Sequence, residues 1–226
     1  LNKISKKIYC WDDNLNTRTK AKKSGLILTS PKKINFNEFC YLVVSPGINH
    51  QIKEPHPAIR LARKCKVKIT TDLEFLEFFK KKTLIGVTGT NGKSTTTKFI
   101  EHSVSFKSSP KAFACGNIGV PFANLNLKDN SKKILVVESS SFQLDKIDKL
   151  KFDIAILLNI SKDHLDWHKS MQSYIDAKLN IFRNQDENCF AVICVDDKYC
   201  KKIAKSFKKK FKSKLVTIST KQKIHD

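Results

Sequence analysis

With 226 residues, 40% of them apolar, the chain can bury a sizeable core as one large domain or two modest ones, which argues against disorder. Its densest apolar run, residues 152–160, is strand-sized and broken by Asp153 and Asn159, so nothing approaches the roughly 20 apolar residues of a membrane-spanning helix. The net charge of +22 invites a nucleic-acid reading, but only four of the 43 basic residues are arginine and no aromatic-interleaved basic motif occurs. Most of that charge therefore reads as solvated surface. Seven scattered cysteines with no C-x-x-C pair point to reduced thiols and a cytoplasmic protein rather than disulfides or a zinc site. The first seven residues lack the apolar segment of a signal peptide. The chain also starts without Met, which suggests a processed or partial protein.

Short apolar strands alternate with helical stretches, the pattern of parallel α/β architecture. Residues 8–11 read as a strand, followed by the turn Asp12-Asp13-Asn14. A second strand, 41–44, runs into Ser45-Pro46-Gly47, a candidate type II turn. Helical spacing over 56–64, with Pro57 in the first turn, leads to a strand at 66–69 and a short amphipathic helix over 72–80. The lysines at 80–82 read as a boundary between two α/β domains, 1–81 and 82–226. In the second domain, strands are expected at 83–87, 134–137, 153–158, 190–195 and 215–218. Helices are expected at 95–105, 170–182 and 198–211, with a loop at Gly116-Asn117-Ile118-Gly119.

The strand at 83–87 feeds Gly89-Thr90-Asn91-Gly92-Lys93-Ser94, and Thr95 opens the next helix. Strand, glycine loop and helix N-terminus together form a phosphate cradle: backbone amides approach phosphate oxygens, Lys93 can reach the β/γ-phosphates and the Ser94 hydroxyl can bind Mg²⁺. The strict G-x-x-x-x-G-K-[ST] pattern fails by one position, because Val87 stands where its first glycine belongs while glycines occupy 86 and 89. ATP with Mg²⁺ is the expected cofactor pair. Glu138 ends an apolar strand, so its carboxylate lies at the usual ligand edge of an open α/β sheet.

The octet Gly-Thr-Asn-Gly-Lys-Ser-Thr-Thr resembles the P-loop of the Mur ligase family. Glu138-Ser139-Ser140-Ser141-Phe142-Gln143-Leu144 resembles the E-x-S-S-F-Q-L segment of its D-glutamate-adding members, and residues 159–166 resemble the family's N-I-x-x-D-H-L-D. Tyr174-Ile175-Asp176-Ala177-Lys178 is similar to the helix that carries the family's modified lysine. Ser45-Pro46-Gly47-Ile48 and Gly116-Asn117-Ile118-Gly119 match as well, so the likeness runs from about residue 8 to 200.

The resemblance implies an ATP-dependent ligase that adds D-glutamate to UDP-N-acetylmuramoyl-L-alanine through an acyl phosphate, in peptidoglycan precursor synthesis. It implies catalytic roles for Lys93, Glu138, His164 and Lys178. Metal contacts would come from Ser94, Glu138, His164 and a carbamylated Lys178. Substrate contacts would come from Asp12, Ser45, Pro46, Gly47, Asn117, Ser140 and His164. Trp167 departs from the pattern, standing where arginine is frequent. The resemblance further implies that 1–81 is a partial Rossmann-like UDP-substrate-binding domain lacking its first strand, and 82–226 a P-loop α/β ATPase-type central domain lacking its C-terminal part. It also implies a third, amino-acid-binding domain beyond residue 226, so this chain alone is expected not to ligate. A monomer, without nucleic acid or membrane insertion, is the expected form. Rival readings are another Mur ligase, folylpolyglutamate synthase, a nucleic-acid-binding P-loop NTPase, and a non-catalytic ATP-binding module.

Overall fold

The computed structural model describes residues 7–78, 82–106, 110–117 and 132–221. The chain divides into two compact units, Leu1–Val44 with Ile48–Ile69, and Ser45–Gly47 with Thr70–Asp226. The expected boundary lysines at 80 and 81 lie outside the described residues.

In the first unit the Asn14 side chain accepts from the amides of Asn16 and Thr17, starting helix α1 (Leu15–Lys23). The predicted strand at 8–11 is reduced to one bridge, Cys10 to Leu28, with Tyr9 and Trp11 each 39% exposed. Without a longer partner strand, its apolar residues have no ladder to join. Strands β1 (Tyr41–Val43) and β2 (Lys68–Thr70) form a two-stranded sheet. Between them lies helix α2 (Pro57–Lys64), with Pro57 in its first turn and the His56 ring accepting from the Ala58 amide. Phe36, Ala58, Ala62 and Val67 make the core, packed by Ile34, Phe39, Leu42, Leu61, Cys65 and Ile69.

The second unit is built on a six-stranded parallel sheet in the order β4-β5-β3-β6-β7-β8. Its strands are β3 (Lys82–Thr88), β4 (Ala112–Gly116), β5 (Lys133–Glu138), β6 (Ile154–Leu157), β7 (Phe190–Cys194) and β8 (Lys214–Ile218). β3 is buried continuously from Leu84 to Thr88, as a strand covered on both faces should be. Its Ile85 and Val87 pack with Ala112 and Val136 on the side of Ile100 and Val104 of helix α3 (Lys93–Ser105). On the other side, a Cβ on Gly86 would meet the Phe152 ring at 2.8 Å, so this glycine is needed for packing rather than for phosphate.

The chain leaves β3 for β4 and β5 on one flank and then crosses to β6, β7 and β8 on the other. β3 is therefore the switch point, where the crevice beyond the strand ends receives ligands in open α/β sheets. Glu138 ends β5, and β5 and β6 are not neighbours in the sheet. β3 lies between them, with Val87 opposite Glu138 on one side and Ile156 on the other.

Two expected helices shorten. Helix α6 (Met171–Leu179) and helix α7 (Lys198–Ser206) each finish in a 3-10 turn, at Asn180–Phe182 and Phe207–Lys209. The expected helix from residue 72 is a 3-10 segment, Asp72–Phe78. There Leu73, Glu74, Phe75 and Leu76 are all buried in succession, which a one-sided α-helical stripe does not allow. Glu74 turns inward to accept from the amides of Asp148 and Lys149, both at 2.8 Å. β4 and two single-turn helices, α4 (Ser141–Leu144) and α5 (Leu165–His168), are additions to the expected list.

Candidate nucleotide phosphate site

The loop after β3 turns into α3 through Gly92, whose φ of +80° belongs to the left-handed region that glycine adopts without strain. No side chain caps this helix start, so its first amides and the positive end of the helix dipole are available to an anion. Lys93 arches back over the loop, its Nζ donating to the carbonyls of Gly89 (3.1 Å) and Thr90 (2.8 Å). A phosphate entering here would compete for that ammonium as a stronger, charged acceptor.

On the β5 flank, the Ser94 hydroxyl donates to Glu138 Oε2 at 2.7 Å and the Asn117 side chain donates through Nδ2 to Oε1 at 3.1 Å. Glu138 is 2% exposed. Gly116 supports this contact: its φ is +105°, and a Cβ there would stand 2.3 Å from the Glu138 carbonyl oxygen. Thr88 Oγ1 further joins the strand ends by donating to the Ser139 carbonyl at 2.9 Å. Glu138 and Ser94 thus present adjoining oxygens, a donor set that suits a hard divalent cation completed by water and phosphate oxygens. Among the described residues no three His, Cys, Asp or Glu side chains cluster as a metal site.

On the β6 flank, Asn159 grips the loop. Its Oδ1 accepts from the Asn91 amide (2.8 Å), its Nδ2 donates to the Asn91 carbonyl (3.0 Å), and its own carbonyl accepts from the Thr90 amide (2.9 Å). Thr90 Oγ1 accepts from the Ser161 amide at 3.0 Å and lies 3.1 Å from the Tyr174 hydroxyl.

Helix α6 begins at a Ser170 cap and sends Lys178 inward, where its Nζ donates to the Gly89 carbonyl at 2.8 Å. Burial, with the Lys93 charge nearby, lowers its pKa from 10.5 to about 7. Within the same layer Phe142 stacks on His168 at a 5° interplanar angle and approaches Trp167 and His164, at 4.4 and 4.8 Å between centroids. His168 is buried, shares a 3.0 Å hydrogen bond with Ser141 and is kept neutral by burial, its pKa lowered to about 4.

The expected residues divide. Gly89 to Ser94, Asn117, Glu138 and Lys178 form one hydrogen-bonded assembly around the loop. Thr95 is exposed in the first turn of α3. His164 stands at the entrance of α5 with a left-handed φ of +50°, half-exposed, its Nε2 3.4 Å from Asp163. It meets the buried layer through the Phe142 and Tyr174 rings. Ser140 is occupied locally: its hydroxyl accepts from the Gln143 amide while the Gln143 side chain accepts from the Ser140 amide, a capping box that starts α4. Asp12 sits in the first unit, its Oδ1 accepting from the Asn14 amide. Ser45–Gly47 belongs to the second unit, and Gly47 lacks the left-handed φ of a type II turn. Ile118 and Gly119 lie outside the described residues. Sequence reasoning gave no role to Asn159, His168, Tyr174 or Gly116. Their signal was position alone, inside or beside the segments already singled out.

Comparison with known proteins gives a consistent likeness. Residues 87–226 match the family model described as the Mur ligase middle domain. The chain is 41% identical over 216 residues to the UDP-N-acetylmuramoylalanine–D-glutamate ligase of Wolbachia pipientis wMel, covering 92% of this chain and 40% of that protein. It is 37% identical over 205 residues to the enzyme of the same name from Caulobacter vibrioides (strain NA1000 / CB15N), covering 87% of this chain and 43% of that one. The chain therefore spans about two fifths of the length of these curated relatives. Among solved structures, the UDP-N-acetylmuramate:L-alanyl-gamma-D-glutamyl-meso-diaminopimelate ligase from Neisseria meningitides shares the fold. Its TM-score is 0.55 at 14% identity, over 92% of this chain and 68% of that one.

Proposed function

The chain belongs to the Mur ligase family, and from that membership we propose that it is part of an ATP-dependent ligase joining D-glutamate to UDP-N-acetylmuramoyl-L-alanine, in peptidoglycan precursor synthesis. The observation that carries this reading is the pairing of the phosphate loop with a buried strand-end carboxylate, Ser94 to Glu138 at 2.7 Å. The relatives named for D-glutamate addition support the choice of amino acid.

In this reading the loop amides and Lys93 hold the ATP phosphates, and the carboxylate of the alanyl substrate attacks the γ-phosphorus. ADP leaves, and the D-glutamate amine then displaces phosphate from the acyl phosphate to form the amide. The chain's own residues act by positioning and electrostatic stabilisation. Ser94 and Glu138 would hold Mg²⁺, which supplies neutralisation of charge on the transferring phosphoryl group. His164 would contribute to a second cation and to the substrate. Thr95 would add to the nucleotide site, while Asp12, Ser45–Gly47, Asn117 and Ser140 would contact the UDP-muramyl substrate.

Lys178 supports a further part of the reading. A buried amine with its pKa near 7 has a substantial neutral fraction at physiological pH. The neutral amine can add to CO₂, forming an N–C bond and releasing one proton, which converts a cation into a carboxylate-like ligand. The seven free cysteines fit a cytoplasmic protein, and no helix among the described residues is long and apolar enough to cross a membrane.

The test is ADP formation by the protein at its full encoded length. Formation that requires both UDP-N-acetylmuramoyl-L-alanine and D-glutamate is the expected result. Activity with L-alanine as the added amino acid, or with a folate acceptor, would overturn the substrate assignment. Steeply salt-dependent DNA binding, with no use of a UDP-sugar, would move the protein to a different class.

A further inference from the structure

Five hydrogen-bond contacts join the crown of the phosphate loop to the exit of β6, and the Asn159 side chain makes two of them. Its carboxamide faces the backbone of one residue in both senses, accepting from the Asn91 amide at 2.8 Å and donating to the Asn91 carbonyl at 3.0 Å. The Asn159 carbonyl takes the Thr90 amide, and Thr90 Oγ1 both accepts from the Ser161 amide (3.0 Å) and reaches the Ser161 carbonyl (3.4 Å). An independent sign of close fit comes from Gly89. A Cβ on that residue would lie 3.0 Å from Leu158 Cβ and 3.3 Å from the Asn159 amide nitrogen. The loop is thus pressed onto the exit of the neighbouring strand as well as bonded to it.

We infer that Asn159 is a positioning residue of the phosphate loop, fixing the backbone at residues 90 and 91 so that the loop is preformed for a nucleoside triphosphate. The inference rests on reading residues 89–94 as a phosphate loop. Loop closure on a phosphate requires several backbone amides to converge, and ordering that backbone beforehand removes the entropic cost from the binding step. The residue type follows from the contact. A two-way bond to the N–H and C=O of one residue needs a donor and an acceptor on the same short side chain, which a carboxamide has and a carboxylate lacks. Aspartate at this position would set an anion against the Asn91 carbonyl and beside incoming phosphates. The same segment continues to Asp163 and His164, so the clamp also fixes where that turn leaves the sheet.

The experiment compares Asn159→Ala and Asn159→Asp with the parent chain. Binding of a fluorescent ATP analogue and hydrogen exchange at individual amides are both measured. Alanine should weaken nucleotide binding about tenfold or more and speed exchange at Thr90 and Asn91, with the β7–β8 ladder unchanged. Aspartate, although nearly the same size, should bind the analogue more weakly than alanine. A residue that serves stability alone would instead loosen both regions and rank the variants by side-chain volume. Unchanged exchange at residues 90 and 91 overturns the clamp, as does analogue binding within about twofold of the parent in both variants. If the parent itself fails to bind the analogue, the phosphate reading is wrong, while the exchange data still decide whether Asn159 holds the loop. Because aspartate preserves the volume of asparagine, that variant keeps the comparison available if the alanine chain unfolds.

Discussion

The strands on either side of β3 leave the sheet side by side with the phosphate loop, and they do opposite things there. The β5 exit places a carboxylate, Glu138, on the Ser94 hydroxyl, whereas the β6 exit places a carboxamide, Asn159, on the backbone at Asn91. One flank supplies charge at the loop's helix end. The other supplies geometry at its crown with no net charge, where a carboxylate would repel phosphate. Flanking strands of similar apolar character can therefore serve one ligand in complementary ways, and the residue at each exit decides which.

Giving the β5 exit the chemistry of its counterpart is the most severe way to break that division. Glu138→Gln keeps the shape and an acceptor for Asn117 but removes the charge. Under the ligase reading, turnover of the protein at its full encoded length, read as ADP formation, should fall by about a hundredfold or more while the fold persists. Gly116→Ala attacks the same flank through its backbone. Positive φ and a Cβ 2.3 Å from the Glu138 carbonyl should cost about 2–3 kcal/mol, measured as a shift in the urea midpoint.

Lys178 sharpens the contrast through pH. Its pKa is near 7 when folded against 10.5 as the ordinary value, so the unfolded chain binds more protons between those limits. Stability conferred through this group should rise as pH climbs from about 7 to 10.5, and stay at its lowest, constant level below 7. Lys178→Met should remove that slope, which urea midpoints across the range would reveal; an unchanged slope would place the titration elsewhere. The smallest effect belongs to Ser140→Ala. Loss of half the capping box should cost about 1 kcal/mol of thermal stability. A rise in KM for the UDP-muramyl substrate, beyond what that loss explains, would add the proposed substrate contact.

Much of the second unit was legible in the sequence because its strands are short, β-branched and buried, and its loop is punctuated by glycine. Lys82–Thr88, Ile154–Leu157 and Phe190–Cys194 fall where the apolar runs put them. The misses have specific causes. Residues 8–11 carry a strand's composition but find only one bridge. The strand Ala112–Gly116 is too rich in small residues to stand out. Leu73 to Leu76 are buried in succession around a full turn, so the apolar spacing of the segment mimicked an amphipathic helix.

What the sequence determined by itself was local chemistry: a strand, a glycine loop leading into Lys93-Ser94, a helix start, and a carboxylate at the end of an apolar run. Such features depend on neighbours in the chain, and residue order encodes them directly. Tertiary structure alone decided that β3 separates β5 from β6, that Gly86 answers to Phe152 and Gly116 to Glu138, and that Asn159 closes on Asn91 from 68 positions away. Each of these depends on which strand lies beside which. That order is set by how the whole sheet buries its two faces, and no single stretch of sequence carries it.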